Sequence, residues 1–220
     1  QELRTINDFT YLGYGFRDSG LTLPSKTKRK LQQKVSRLIN VYLINPLNHG
    51  FNPTRANRVR GFDWDLLGLI YELRRGFYGG LHEQDVQGFL YNNGQLRKMR
   101  GLMGFYCLID DSTVLKELDG WTVNMVRRAC VKRREILQTR YQQDCPTPSN
   151  EQLILGSWIN PNELRGQNGE DDDFEIGFPS LIRGWRAARK HFFTFGLEGV
   201  QAPGYNSSFD VSILFDALDY

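Results

Sequence analysis

Nine Lys or Arg residues stand between Ser19 and Phe62 with no Asp or Glu among them: Lys26, Lys28, Arg29, Lys30, Lys34, Arg37, Arg55, Arg58 and Arg60. Cations gathered without neutralising acids are chemistry for a polyanion. When such residues neutralise phosphates they release condensed counterions, which gives sequence-independent affinity that falls steeply with salt. The six from Lys26 to Arg37 share their segment with apolar Leu31, Val35, Leu38 and Tyr42, spaced three or four residues apart. That spacing predicts a helix with an apolar stripe for packing and a basic stripe for a nucleic-acid backbone. A helix that is only solvated usually mixes signs on its polar face. A second basic face is expected on a later helix, with Arg127, Arg128, Lys132, Arg133, Arg134 and Arg140 largely exposed. Two readings stay open for it: nucleic-acid contact, or ion pairs with an acidic loop at 170–175.

Other chemistry is sparse. Leu108-Ile109-Asp110-Asp111 sets two carboxylates side by side, but it adjoins Ser112 in what reads as a helix start, not a metal site. Glu170-Asp171-Asp172-Asp173 sits among Gly and Asn and reads as a solvated loop. His49, His82 and His191 lack metal-ligand spacing. Cys107, Cys130 and Cys145 are odd in number with no CxxC pair, so they are expected to be free buried thiols of a reducing cytoplasm. No phosphate-cradling Gly loop, HExxH or GxSxG motif occurs. No apolar run approaches the roughly 20 residues a bilayer demands, which argues against a membrane partner. The chain opens Gln1-Glu2-Leu3-Arg4, without an initiator Met, as a fragment of a longer protein would.

These residues must be positioned by local elements. Aromatic and β-branched residues flank Ser19-Gly20, predicting a β-hairpin with arms at 9–17 and 21–23, stopped by Pro24. Ser25 is expected to cap the basic helix. A second helical stretch is expected from Pro53-Thr54 to about Gly76, a short helix at 82–91, and helix again within 96–109. A short helix to Leu118 and an Asp119-Gly120 turn should precede a long helix from Trp121 to about Gln143. Cys145 to Asn150, with two prolines, reads as a linker. Beyond it come a small helix at 151–158, a helix at 179–195 carrying Trp185, and a tail with a short terminal helix. The stretch from Gly199 to Tyr220 holds Asp210, Asp216 and Asp219 and no Lys or Arg. The fold class is therefore mainly α: a short N-terminal β-hairpin over residues 1–24, a helical bundle over 25–144, and a helical C-terminal extension over 145–220.

The most specific pattern is Tyr11-Leu12-Gly13-Tyr14-Gly15-Phe16, then Gly20-Leu21-Thr22-Leu23, then the basic helix from Lys26-Thr27-Lys28-Arg29-Lys30. Residues 8–45 resemble the last shared block of bacterial reverse transcriptases, where a hairpin ends the palm and the thumb begins. More weakly, Arg60-Gly61-Phe62, Gly76-Phe77-Tyr78-Gly79-Gly80, Gly101-Leu102-Met103-Gly104-Phe105-Tyr106 and Leu118-Asp119-Gly120-Trp121 are similar to reverse transcriptases of abortive-infection and phage-defence systems.

The resemblance implies that Tyr11, Leu12, Gly13 and Tyr14 form a primer-grip-like hairpin, with Tyr14 the first candidate to stack on a nucleotide. It implies that the first thumb helix lies along a template–primer duplex of RNA and DNA. It further implies a palm and fingers as partners, a bacterial cytoplasmic setting, and Mg²⁺ for the complete polymerase. The aromatic-x-Asp-Asp motif that would hold those ions is absent from the sequence, so the chain is expected to bind without catalysing. The competing expectation is a helical interaction or homo-oligomerisation module, carried by the aromatic 179–215 region and its acidic end.

Overall fold

Leu31, Val35, Leu38 and Ile39 are all buried, and they commit the basic segment to one helix, α1 (Ser25–Ile39). We describe its setting from a computed structural model of the chain that covers residues 9–18, 20–48, 63–79, 81–96, 98–145, 147–159 and 177–200. Ser25 is the first helical residue and not the cap; Pro24 precedes the helix, and its carbonyl accepts from Lys28 N. The helix then widens into a π turn, Asn40–Ile44, before α2 (Asn45–Asn48). The extra residue of such a turn resets which side chains face the core. Here it keeps Leu43 buried while the Tyr42 ring lies against Gly68, where a Cβ would stand 2.9 Å from it.

The chain is mainly helical with the expected hairpin at its N-terminus, whose first arm is divided in two to give a three-stranded antiparallel sheet in the order β1 (Phe9–Tyr11), β2 (Tyr14–Arg17), β3 (Gly20–Thr22). The long first arm breaks at Leu12-Gly13, both at positive φ (48° and 84°), as a two-residue hairpin loop with the strands' own twist requires. Phe9 pairs with Phe16 across the first ladder, their rings stacked at 4.5 Å. The outer edge is closed by the chain between residues 106 and 112: Leu21 N donates to Asp110 Oδ2, and Asp110 N donates to the Leu21 carbonyl.

The remaining elements are α3 (Trp64–Tyr78), α4 (Glu83–Tyr91), α5 (Gly101–Phe105), α6 (Thr113–Tyr141), α7 (Asn150–Leu155) and α8 (Leu181–Phe195), with a 3₁₀ turn at Gly196–Gly199. α3 ends at Gly79 in the left-handed region, against the Arg100 backbone, where any side chain would collide. The expected helix within 96–109 contracts to α5. The start expected for the second helical stretch, at 53–62, lies outside the described residues, as do the acidic loop and the tail after Val200.

The largest departure is α6. No turn forms at Asp119-Gly120; one helix runs through it because Leu115, Leu118, Thr122 and Val126 make a continuous buried stripe across the site. The Asp119 carboxylate instead accepts from Leu181 N, Ile182 N and Ser180 Oγ, capping α8 from within α6. α8 shares the main core, so residues on both sides of the 145–150 segment pack into one apolar cluster from Tyr14 to Val200.

α6 runs parallel to the path from α1 through the π turn to α2. Lys28 meets Glu117 at one end; at the other, Arg140 donates to Asn48 Oδ1 and Tyr141 Oη to the Leu47 carbonyl. No helix among the described residues is long and apolar enough to cross a membrane.

Candidate nucleic-acid interface

α1 sorts its cations by rotation. Lys26, Lys30, Gln33 and Arg37, at i, i+4, i+7 and i+11, fall on one row along the helix, away from its buried stripe. Arg29, Gln33, Ser36 and Asn40 form the adjoining row toward α6. Lys26, Arg29 and Lys30 have no ion pair among the described residues. Lys34 lies on the flank. Lys28 differs from its neighbours: it turns inward and pairs with Glu117 at 2.6 Å. Arg55, Arg58 and Arg60 lie outside the described residues.

Between α1 and α6 runs an open groove of about 560 Å³. Ile39, Ile44, Met125, Ala129 and Val131 give it an apolar floor, and Arg127, Arg128 and Lys132 a cationic rim. Lys132 pairs with Glu135 one turn on; Arg127 and Arg128 are exposed and have no ion pair among the described residues. Sequence reasoning missed the floor. Its one visible signal was Val131, an apolar residue among five cations, which is 39% exposed.

In the rest of the second basic face Arg133 is taken into the core, while Arg134 and Arg140 stay at the surface. Arg133, expected on the surface, is 1% exposed and forms a two-pronged ion pair with Asp63. Arg134 pairs with Asp144 at 2.8 Å, and Arg140 bonds Asn48. A cation counted as exposed from helical spacing was therefore drawn inward by a carboxylate 70 residues away.

At the sheet, Tyr11 and Leu12 form an exposed tip (62% and 67%), and Gly13 is fixed by its positive φ and by the Phe105 ring, 3.2 Å from where a Cβ would stand. Tyr14 cannot stack on a nucleotide in this arrangement. Its ring is buried between Phe105 and Tyr106, and its hydroxyl donates to the Phe105 carbonyl. Burial raises the Tyr14 hydroxyl far above its ordinary 10, so it stays a neutral donor. The exposed aromatics of the sheet are Phe9 and Tyr11.

Asp110 and Asp111 are occupied by the fold. Asp110 accepts from Leu21 N and from Arg189, while Asp111 accepts from Thr113 N, a bond that holds its carboxyl below the ordinary range. No cluster among the described residues has the His, Cys, Asp or Glu content to hold a metal ion. Cys107, Cys130 and Cys145 are free and buried, and burial pushes the first two thiols up to about 11 and about 12. These are packing thiols, not nucleophiles.

Taken together, the site presents exposed Lys26, Arg29, Lys30 and Arg37 on a helix locked from behind, a cation-rimmed apolar groove beside it, and an exposed aromatic turn at the far side of the sheet that precedes the helix. Exposed cations on a rigid helix are suited to an extended anion. Comparison of the chain with models of protein families, with curated proteins and with solved structures finds nothing that matches it.

Proposed function

We propose that this chain is the duplex-gripping thumb and C-terminal region of an RNA-directed DNA polymerase, of the kind bacteria use in antiviral defence. The observation that carries the reading is the outward row Lys26–Lys30–Arg37, with Arg29 beside it, on a helix whose opposite side is core. Rigid placement matters, because ordering long side chains on a mobile element would offset much of what each phosphate contact contributes. Along α1 the three row cations span eleven residues, about 16 Å at 1.5 Å per residue, enough to follow several successive phosphates. The exposed turn at Tyr11-Leu12 lies ahead of this helix in the chain and would meet the primer end. In such an enzyme Mg²⁺ carries the phosphoryl chemistry. Asp110 and Asp111 do not fit that role, since they are already bonded within the fold, so the ions would belong to a palm.

The test is binding of an RNA–DNA hybrid against salt. Four phosphate contacts predict a slope of log affinity on log salt of about −3.6, so affinity falls roughly 150-fold between 50 and 200 mM salt. Replacing Lys26, Lys30 and Arg37 together by Ala should flatten the slope by about 2.7. An unchanged slope in that variant would exclude the α1 row as the contact surface.

A further inference from the structure

Phosphates have no use for the apolar floor of the α1–α6 groove. Ile39, Ile44, Met125, Ala129 and Val131 line it, with Arg127 and Arg128 solvated at the rim. A floor of this kind buries aliphatic side chains, and its rim selects a partner carrying negative charge; an amphipathic acidic helix satisfies both demands. This chain contains such a sequence. In Phe209–Tyr220, Val211, Leu214, Phe215 and Leu218 recur at i, i+3, i+4 and i+7, while Asp210, Asp216 and Asp219 lie off that stripe and no Lys or Arg occurs. We infer that the groove receives the acidic segment Phe209–Tyr220 of a second copy of the chain.

Geometry argues for exchange between copies over folding back. α8 begins at Asp119, but its Trp185 and Arg189 reach the Ile109 carbonyl and its His191 the Leu96 carbonyl. It therefore runs antiparallel to α6, toward the end of α6 away from the groove. Val200 then bridges to Met99, beyond the first residue of α6. From Thr113 to the near end of the groove at Met125 is about 18 Å along α6. The connector Gln201–Ser208 spans at most about 26–29 Å when fully drawn out, so folding back onto its own groove would need it almost straight along and around the bundle, a demand that exchange between copies removes. Reciprocal exchange of two segments closes a two-fold dimer with two identical contacts.

The experiment is sedimentation equilibrium of the full chain. A concentration-dependent dimer is expected. Arg127→Glu with Arg128→Glu, and separately Asp216→Arg with Asp219→Arg, should each weaken it roughly tenfold or more by placing like charges together. Mixing the two variants should restore association, because each acidic groove then meets a basic segment; this rescue also shows that neither variant is misfolded. A chain that stays monomeric at every concentration, a dimer indifferent to either pair, or variants that remain apart on mixing overturns the inference. So does protection of residues 209–220 from hydrogen exchange at concentrations where the chain is monomeric, which would place the segment on its own chain. Lys26, Lys30 and Arg37 to Ala should leave the dimer unchanged, which separates this result from the nucleic-acid reading.

Discussion

The ion pair between Arg133 and Asp63 sits where α6 crosses the start of α3, and removing one partner tests how that joint is held. Arg133 Nη1 donates to Asp63 Oδ1 at 2.9 Å and Nη2 donates to Oδ2, while Nη2 also lies 3.6 Å from Cys145 Sγ. Burial alone would lower the proton affinity of the guanidinium, but the Asp63 carboxylate more than offsets it, so the group is held above its ordinary value. Asp63 has a second role, since its Oδ1 also accepts from Leu66 N at 3.0 Å as the cap of α3.

Asp63→Ala strands a buried guanidinium, at about 3–5 kcal/mol, and loses a cap, at about 1 kcal/mol. The total of about 4–6 kcal/mol is a large share of the roughly 5–15 kcal/mol typical of a folded domain, and corresponds to a fall in Tm of roughly 10–20 °C at this chain length. Arg133→Met should cost less, about 2 kcal/mol, because Asp63 is more exposed and keeps its bond to Leu66 N. The double variant Asp63→Ser, Arg133→Met retains a capping oxygen and buries no charge, so it should fall within about 1–2 kcal/mol of the parent. Urea denaturation followed by Trp fluorescence gives all three values. If Asp63→Ala costs less than about 1 kcal/mol, or the double variant is no better than Asp63→Ala, the pair does not hold the joint as argued.

Two further outcomes follow from single side chains. Glu72 is half-buried with Oε2 unpartnered, and burial raises its carboxyl above the ordinary 4.5 despite Arg75 nearby. A raised folded value means the native state holds the proton longer, so this group's contribution is complete below the ordinary value and is lost as pH rises through the folded value; Glu72→Gln should stabilise the chain at about pH 7 and lose that advantage near pH ~4, measured by urea midpoints across pH. Tyr14→Phe removes the bond to the Phe105 carbonyl and should cost about 1 kcal/mol in the same denaturation assay, while hybrid affinity stays unchanged because the ring faces the core.

Elements whose apolar spacing is set by their own burial could be read directly. Leu31, Val35 and Leu38 gave α1, and their burial leaves Lys26, Lys30 and Arg37 outside, as the spacing demands. The helix at 181–195 falls within the 179–195 stretch expected around Trp185. What escaped depended on distant partners. Leu12 is a poor turn former, and it adopts φ of 48° because Tyr14 must turn inward onto Phe105 and Tyr106. Asp119-Gly120 has the composition of a turn, yet the orphan N–H groups of α8, 62 and 63 residues away, take the Asp carboxylate and leave the helix whole. Arg133 looks like any of its five basic neighbours until Asp63 is brought beside it.

These long-range pairings also bear on why Lys26, Arg29 and Lys30 have no ion pair among the described residues. The whole chain is nearly balanced, with 28 basic and 25 acidic residues, so the folded form could have drawn carboxylates onto α1. Instead several of the described acids are placed at joints between elements. Asp63 holds α6 to α3 through Arg133, Glu83 holds α4 to α8 through Arg183, Asp110 closes the sheet and takes Arg189, and Asp119 caps α8. Glu117 reaches α1, but it takes Lys28, the cation already turned toward α6. An acid at a joint is fixed by its partners there and cannot swing to a surface lysine without breaking the fold. Among the described residues, Asp63, Glu83, Asp110 and Asp119 are thus engaged in holding the bundle together, while Lys26, Arg29 and Lys30 on α1 have no ion pair.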